Sequence, residues 1–309
     1  MVAFIYDPIF LEHETGRHHP ENADRLRAIL KAIEPLSHRL LPLEPLRADR
    51  DLLRSIHSDA HIDLVEEASA SGLAIDPDTQ TSAHSFEAAL KAAGAGITAV
   101  DAAASGRAGC TFAAVRPPGH HATAERAMGF CLFNNVALTA RYAQECGYEK
   151  VFIVDFDVHH GNGTQGIFYD DPTVFYFSSH QYPAYPGSGD TTEIGAGEGE
   201  GYTMNFPLQP ESSDEDILPI YEEELPKAVK AFGPDIILVS AGYDLHESDP
   251  LASLYITTEA IAGIVQCIME CSNVPKLFFL EGGYNLEALG ACVKATLEVM
   301  LASEGSASA

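Results

Sequence analysis

The sequence predicts an α/β protein built on a largely parallel sheet covered by helices on both faces. Three observations carry this. Short runs of apolar, often β-branched residues, such as Val151-Phe152-Ile153-Val154 and Ile236-Ile237-Leu238-Val239, read as strands buried on both faces. These runs alternate with stretches of helical spacing, the pattern of a parallel sheet with crossover helices. Four of the strands end abruptly in polar clusters, and in this architecture ligands sit beyond the carboxyl ends of the strands.

In chain order, Val2 to Tyr6 reads as the first strand and Asp7 to Pro20 as a loop carrying His13, His18 and His19. Pro20 is suited to start a helix over Asn22–Ile33, where Leu26, Ile29, Leu30 and Ile33 recur at helical spacing. Arg39 to Leu43 reads as a second strand ended by Pro42 and Pro45, and Asp59 to Ser69 as a helix broken at Gly72. Ile75 to Thr79 is turn chemistry. His84 to Ala104 is Ala-rich and helical, although Gly94 and Gly96 weaken it. Cys110 to Val115 is a strand running into Arg116-Pro117-Pro118-Gly119-His120-His121, and two prolines and a glycine place both histidines just beyond its end. A loop at Met128 to Cys131 precedes a helix over Asn135–Cys146. The central strand Val151–Val154 leads into Asp155, Asp157, His159 and His160, then into Gly161 to Thr164, which turns the chain into a helix. Thr173 to Phe177 is a strand, Ser178 to Gly201 a long loop, and Tyr202 to Leu208 another strand. Asp214 to Phe232 is an acidic helix kinked or split at Pro219 and Pro226. Asp235 to Ser240 is a buried strand ending in Ala241 to Asp244, Thr258 to Cys271 a helix, and Leu277 to Leu280 the last strand, ending in Glu281 to Tyr284. Leu286 to Leu301 is the closing helix, and about 303–309 reads as a frayed tail. No repeat or linker divides the chain, so 1–309 is expected to be a single domain.

Acidic residues outnumber basic ones 45 to 18, a formal charge of −27. Such a surface repels phosphate backbones, so no nucleic-acid partner is expected. It tolerates cationic partners such as basic peptides or polyamines, or serves solubility alone. The six cysteines include no CxxC pair, which argues against a thiolate zinc site or a disulfide framework. No apolar run approaches the ~20 residues of a membrane helix. The start of the chain has no signal-peptide pattern, so the expected location is the cytoplasm. Oligomeric state is not legible.

Four strand ends far apart in sequence converge on one rim: His120-His121, Asp155 to His160, Tyr243-Asp244 and Gly283-Tyr284. In an extended segment Asp155, Asp157 and His159 project to one side, an arrangement that is costly unless a cation neutralises it. Asp157, His159 and Asp244 form a three-ligand set, the number typical of a catalytic divalent site that keeps a position open. Oxygen and nitrogen ligation without sulfur suits Zn²⁺, with Fe²⁺, Co²⁺ or Mn²⁺ as alternatives. The pair His120-His121 offers a general base and a second, charge-tuned imidazole. Tyr284 can aim its hydroxyl at an oxyanion.

With these residues assembled, the chain resembles the zinc-dependent histone deacetylase family, in its class II-like branch of bacterial-type amidohydrolases. His19-Pro20-Glu21, PPGHH, GFCLFNN, DFDVHHGNGT, AGYDLHESDP and EGGYN carry the resemblance over nearly the whole chain. It implies the arginase/deacetylase fold, a three-layer α/β/α sandwich with a mainly parallel eight-stranded sheet. It implies one catalytic Zn²⁺ on Asp157, His159 and Asp244. His121 matches the imidazole given the base and acid role, His120 its electrostatic neighbour, Asp155 the partner of His120, and Tyr284 the carbonyl-polarising tyrosine. Asn162 stands where the other class carries an acid, giving His121 a neutral orienting partner. Asp155, Asp157, His159, Ser178 and Ser179 match a structural K⁺ site, partly through backbone carbonyls. Gly129 and Phe130 resemble one wall of an acyl-lysine tunnel, and Tyr185 the facing wall, where phenylalanine is more usual. Arg25 resembles an arginine near an internal cavity and Asp249 a further acid. Asp76 and Asp78 both lie where the family has a rim acid that holds the substrate backbone. Leu251 occupies the place of a glutamate gatekeeper in the polyamine-specific branch, which counts against a strict polyamine deacetylase.

The leading expectation is hydrolysis of an ε-N-acyl-lysine amide by metal-activated water. The alternatives are the same chemistry on small acylated amines such as acetylpolyamines, and a weakly active acyl-lysine-binding protein. Arginase-like binuclear hydrolysis would need more ligands than these motifs supply.

Overall fold

The computed structural model of the chain describes residues 1–306. Its strands are β1 (Val2–Ile5), β2 (Leu41–Leu43), β3 (Cys110–Ala113), β4 (Val151–Asp155), β5 (Val174–Gln181), β6 (Thr203–Leu208), β7 (Ile236–Ala241) and β8 (Lys276–Leu280). They form one sheet in the order β2-β1-β3-β8-β7-β4-β5-β6. Every adjacent pair is parallel. Every residue of β3, β4, β7 and β8 is buried, as expected of strands covered on both faces. Helices Asp24–Ile33, Thr258–Glu270 and Leu286–Ser306 pack together, and Ser85–Ala104 packs on Asn135–Glu145, giving the three layers α/β/α. The four strands with polar C-terminal clusters are β3, β8, β7 and β4, the four contiguous strands at the middle of the sheet. Their ends therefore meet.

Several expected boundaries shift for identifiable reasons. The first long helix starts at Asp24 rather than near Pro20, because the Asn22 side chain bonds the chain before it, donating to the carbonyl of His19 at 2.8 Å. Pro42 lies inside β2, tolerated because β2 is an edge strand. β5 continues through Ser178, Ser179 and His180, which were expected to begin a loop. Those polar residues are buried yet satisfied: Ser178 Oγ lies 2.9 Å from His180 Nδ1, and Ser179 Oγ 2.6 Å from the Tyr221 hydroxyl. The acidic segment is split as expected, with α-helix over Asp214–Pro219 and Leu225–Phe232 joined by a wider π turn. A short helix over Arg50–Arg54, capped by Asp49, was not anticipated. Gly94 and Gly96 do not break their helix. A Cβ on Gly96 would lie 1.9 Å from Thr139 Oγ1, so the glycine permits close approach of the neighbouring helix. The closing helix runs on to Ser306, so 303–306 are helical rather than frayed, while 307–309 lie outside the described residues.

Candidate active site

β4 ends at Asp155, so the alternation of an extended strand does not reach Asp157 and His159; bends in the following chain bring them together. His159 Nδ1 lies 3.1 Å from Asp157 Oδ1 and 3.1 Å from Asp244 Oδ2. One ligand atom from each of the three residues falls within 4.8 Å of the others. The remaining carboxylate oxygens are fixed by backbone donors, Asp157 Oδ2 by the N–H of Gly282 at 2.7 Å and Asp244 Oδ1 by that of Val158 at 3.0 Å. A Cβ on Gly282 would stand 2.0 Å from Asp244 Oδ2, and one on Gly242 would stand 2.1 Å from Asp157 Oδ2. Both glycines thus cradle the carboxylates. Burial and the charge of Asp157 push the Asp244 carboxyl up to about 7. Burial works against charge on His159, yet hydrogen bonds to Asp157 and Asp244 push its imidazole up to about 10. Two buried carboxylates thus compete for one imidazole proton. A divalent cation fits this donor set, because it would neutralise both acids and draw on three converging ligands. His160, although adjacent, faces away: its ring nitrogens lie 2.9 Å from Gln165 Oε1 and 2.8 Å from Ser188 Oγ.

The two histidines after β3 differ in their partners. His120 Nδ1 lies 3.1 Å from Asp155 Oδ2, which also accepts the Tyr176 hydroxyl at 3.0 Å. Burial opposes charge on His120, but Asp155 and Asp157 outweigh it and push the imidazole up to about 10. His121 Nδ1 donates to Asn162 Oδ1 at 2.9 Å. Burial and the neighbouring His120 and His159 hold His121 well below the usual imidazole value, so it is neutral. With its proton on Nδ1, its Nε2 is free to accept another. The two rings lie 4.0 Å apart.

Tyr284 follows β8. Its backbone N–H donates to Asp249 Oδ2 at 2.6 Å, and Asn285 donates to the same oxygen at 3.1 Å. Asp249 thereby pins the loop that carries the tyrosine. The guanidinium of Arg25 lies 5.0 Å from the Tyr284 ring centroid, a cation–π contact, and also donates to the Gly283 carbonyl at 2.7 Å. Arg25 and Arg116 share the buried Glu21, whose carboxyl burial would raise but the two arginines hold down to about 2. Among the described residues, the Tyr284 hydroxyl has no hydrogen-bond partner.

These groups surround a cavity of about 200 Å³. His120, His121 and His159 line it, with Phe130, Gly129, Tyr185 and Tyr284 on its walls and Asp78 and Leu251 also in its lining. Phe130 has φ of 70°, in the left-handed region that costs a side chain strain. A Cβ on Gly129 would lie 2.4 Å from the His121 ring. The Tyr185 ring stands edge-on to His121, with centroids 5.1 Å apart.

Comparison with known proteins gives the same answer from another direction. The histone deacetylase domain matches residues 19–300. The chain belongs to the histone deacetylase family. Histone deacetylase 10, chloroplastic, from Oryza sativa subsp. japonica is 43% identical over 308 residues, covering 92% of this chain and 70% of that one. A probable deacetylase of Archaeoglobus fulgidus is 36% identical, covering 99% of this chain and 87% of its own length. The crystal structure of the HDA15 HD domain superposes with a TM-score of 0.93 at 37% identity, covering 97% of this chain and 88% of that one. The fold is accordingly that of the arginase/deacetylase proteins, and the chain is a hydrolase of the deacetylase family. No helix among its described residues is long and apolar enough to cross a membrane.

This deacetylase brings Asp155, Asp157, His159, His120, His121, Asn162, Asp244 and Tyr284 to one place. It separates the two rim acids. Asp78 lines the cavity, whereas Asp76 Oδ1 accepts the backbone N–H groups of Asp78 at 3.2 Å and Thr79 at 2.7 Å and so caps its own turn. Ser178 sits on β5 in register with Asp155 and Ser179 follows it, but their hydroxyls are engaged elsewhere. Sequence reasoning missed Pro118 and Cys131 in the cavity lining, and Glu281 beneath the histidines. The signal for Glu281 was present: an acid directly after the apolar run Leu277–Leu280 must be buried, and a buried carboxylate requires partners.

Proposed function

We propose that this deacetylase hydrolyses the amide of ε-N-acyl-lysine side chains, releasing a carboxylate and the free amine. The observation that carries it is a narrow cavity in which a neutral imidazole, His121, with Nε2 free, stands next to the Asp157–His159–Asp244 cluster. Asp157, His159 and Asp244 would hold the ion, one per chain, with Zn²⁺ suited to the donors and Fe²⁺ or Co²⁺ as alternatives. When bound, a divalent ion supplies Lewis-acid polarisation of the amide carbonyl and acidification of water.

The chain's own residues account for the rest. Phe130 and Tyr185 wall the apolar stem of the acyl-lysine, and Asp78 accepts a backbone N–H of the substrate at the mouth. His121 Nε2 takes the proton of the water that adds to the carbonyl carbon, its ring oriented by Asn162. The Tyr284 hydroxyl donates to the oxygen on which negative charge develops. As the C–N bond breaks, His121 returns the proton to the leaving nitrogen. His120, kept charged by Asp155, adds a fixed positive field beside the developing oxyanion. A structural K⁺ at Asp155, Asp157, His159, Ser178 and Ser179 is part of this reading. Because both serine hydroxyls are engaged, it would draw on backbone carbonyls there.

Asp78 in the cavity lining and the formal charge of −27 favour, as a second reading, small acylated cationic amines such as acetylpolyamines. The test is a turnover panel of acetyl-lysine peptides, longer acyl-lysines and acetylpolyamines on metal-loaded protein. Acetyl-lysine peptides should be cleaved. Chelation should abolish turnover, and Asp157→Ala and Asp244→Ala should lose both metal and activity. Preferential cleavage of acetylpolyamines would move the assignment to the second reading. Tight binding of acyl-peptides without turnover would make the protein a reader.

A further inference from the structure

We propose that a groove beside the cavity mouth recognises a carboxylate on the substrate close to the acyl-lysine, through Arg17. The proposal rests on the acyl-lysine reading above and narrows its substrate class.

The groove has a volume of about 490 Å³ and joins the catalytic cavity, because Asp78, Phe130 and Leu251 line both. A chain whose acyl-lysine enters the cavity can therefore run along it. Two chain segments contribute to its lining, Arg17 and His18 from one and Pro77 and Asp78 from the other, tied together where His19 Nε2 lies 2.9 Å from the Asp78 carbonyl. Arg17 is exposed and makes no ion pair or hydrogen bond among the described residues. Arg27 is engaged with Asp24 at 2.8 Å, Arg47 with Glu87 at 2.9 Å and Arg54 with Asp51 at 2.9 Å, whereas Arg39 and Arg126 share with Arg17 the lack of an acidic partner among the described residues; of these three, Arg17 is the one that lines the groove. In a chain with 45 acids and 18 bases, an arginine without an acid is not short of candidates in the sequence; its position leaves it free. Glu14 and Asp24 line the hollow on the other flank of Arg17, and Asp24 is already held by Arg27.

A guanidinium presents a planar fork of donors that matches a carboxylate. With Asp78 holding a backbone N–H, the same groove offers Arg17 to an acidic side chain or a free terminal carboxylate one or two residues away. An acylated polyamine has no carboxylate, and its remaining ammonium groups would be repelled by Arg17. The groove thus favours acyl-lysine within a peptide or an amino acid over an acylated polyamine.

The experiment compares three acetyl-lysine peptides: neutral with an amidated end, the same with flanking aspartates, and the neutral one with a free carboxylate directly after the acetyl-lysine. The readouts are kcat/KM and, independently of turnover, the Kd of fluorescent versions by anisotropy. One carboxylate should improve either quantity roughly 2- to 5-fold, the scale of a solvent-exposed ion pair. The gain should shrink as ionic strength rises. In Arg17→Gln the acidic-to-neutral ratio should fall to about 1, and in Arg17→Glu below it. Arg27→Gln, which removes a paired charge nearby, should keep the wild-type ratio. A gain confined to the aspartate peptide assigns the site to acidic side chains, and one confined to the free-ended peptide assigns it to a terminal carboxylate. A wild-type ratio at or below 1, a ratio that survives in both Arg17 variants, or equal loss in Arg27→Gln would overturn the proposal. If no peptide is cleaved, the acyl-lysine hydrolase reading fails, while the anisotropy ratios still decide the role of Arg17.

Discussion

Glu281 Oε2 accepts the backbone N–H of His120 at 3.2 Å, and the same oxygen accepts that of Gly119 at 2.7 Å. Ser240, on the adjacent strand β7, donates to Oε1 at 3.1 Å. The last strand of the sheet thereby fixes the peptide that carries both site histidines, although 160 residues of chain separate the two motifs. Burial pushes the Glu281 carboxyl up to about 7, so its backbone partners matter to its retention in the core.

Glu281→Ala should therefore act at a distance. It orphans two buried N–H groups at about 1–3 kcal/mol each, visible as a lower urea midpoint. By loosening the histidine peptide it should lower kcat by at least ~10-fold, with metal content unchanged, because small misplacements of catalytic groups are costly. Glu281→Gln keeps a carbonyl acceptor and should recover most of both losses. Wild-type kcat in the alanine variant would reduce Glu281 to packing.

The partners of the two imidazoles separate their roles. His121 donates to a neutral amide, Asn162, and His120 to a carboxylate, Asp155. His121→Ala should cost at least ~10²-fold in kcat, the usual scale for a lost general base, with metal still bound by elemental analysis. Asn162→Ala should cost less, since it removes only the orienting acceptor. Near-full activity in His121→Ala beside an inactive His120→Ala would reverse the assignment.

Much of this site was legible because its chemistry is written locally. Apolar runs such as Val151–Val154 define strands, and the polar residues directly after them cannot stay in the core unpaired. Burial in β3, β4, β7 and β8 follows from the same residues that predicted them. What was not legible depends on contacts between distant segments. Asp76 and Asp78 have the same chemistry two residues apart, and only the turn that consumes the Asp76 carboxylate tells them apart. β5 is longer than its sequence suggests, because Ser178, Ser179 and His180 look like loop residues until Tyr221 and the neighbouring strand β6 satisfy them. Gly96 lowers helix propensity, and its benefit appears only against Thr139 of another helix.

Buried neutral histidines away from the site lose stability on the acid side. His57 Nδ1 donates to the Thr123 carbonyl at 3.0 Å, and its Nε2 accepts the Asn134 N–H at 3.0 Å, so a second ring proton would face a donor. Burial, reinforced by His61, lowers its value from 6.5 to about 3, and burial lowers His13 to about 4 despite Glu21. A depressed pKa means that the unfolded chain binds the proton first. The contribution of these two histidines is thus complete above about pH 6.5 and is lost as pH falls toward 3–4. At pH 5 the loss for His57 alone reaches about 2 kcal/mol. The depressed Glu21 carboxyl adds its own loss only below about 4.5. Glu281, pushed up to about 7, and His120, pushed up to about 10, gain stability as pH falls and oppose this loss, so the His57 contribution is read as a difference. The gap in urea midpoint between wild type and His57→Gln should narrow from pH 7 to 5, and a gap that stays constant over that range would contradict this account.

Tyr284 separates an enzyme from a binding protein most sharply. Its backbone is pinned by Asp249 at 2.6 Å and its ring is held against Arg25 at 5.0 Å and Phe130 at 5.9 Å, so the phenol is positioned by everything except its own hydroxyl. Burial and the nearby Asp244 carboxylate raise its ionisation well above the ordinary phenol range, so the group is a proton donor at any working pH. If that donor serves the developing oxyanion, the interaction strengthens in the transition state and its loss appears in kcat rather than KM. Removing one such donor typically costs ~10²–10³-fold, about 3–4 kcal/mol. Tyr284→Phe deletes one oxygen and leaves the Asp249, Arg25 and Phe130 contacts in place, so fold and metal content should not change. Steady-state kinetics on an acetyl-lysine peptide, with metal measured on the same samples, should show kcat down by that factor and KM within a few-fold of wild type. An unchanged kcat with a raised KM would make Tyr284 a substrate-binding residue only. Equal and negligible turnover in both proteins, with acyl-peptide binding intact, would mean that the cavity holds acyl-lysine without cleaving it.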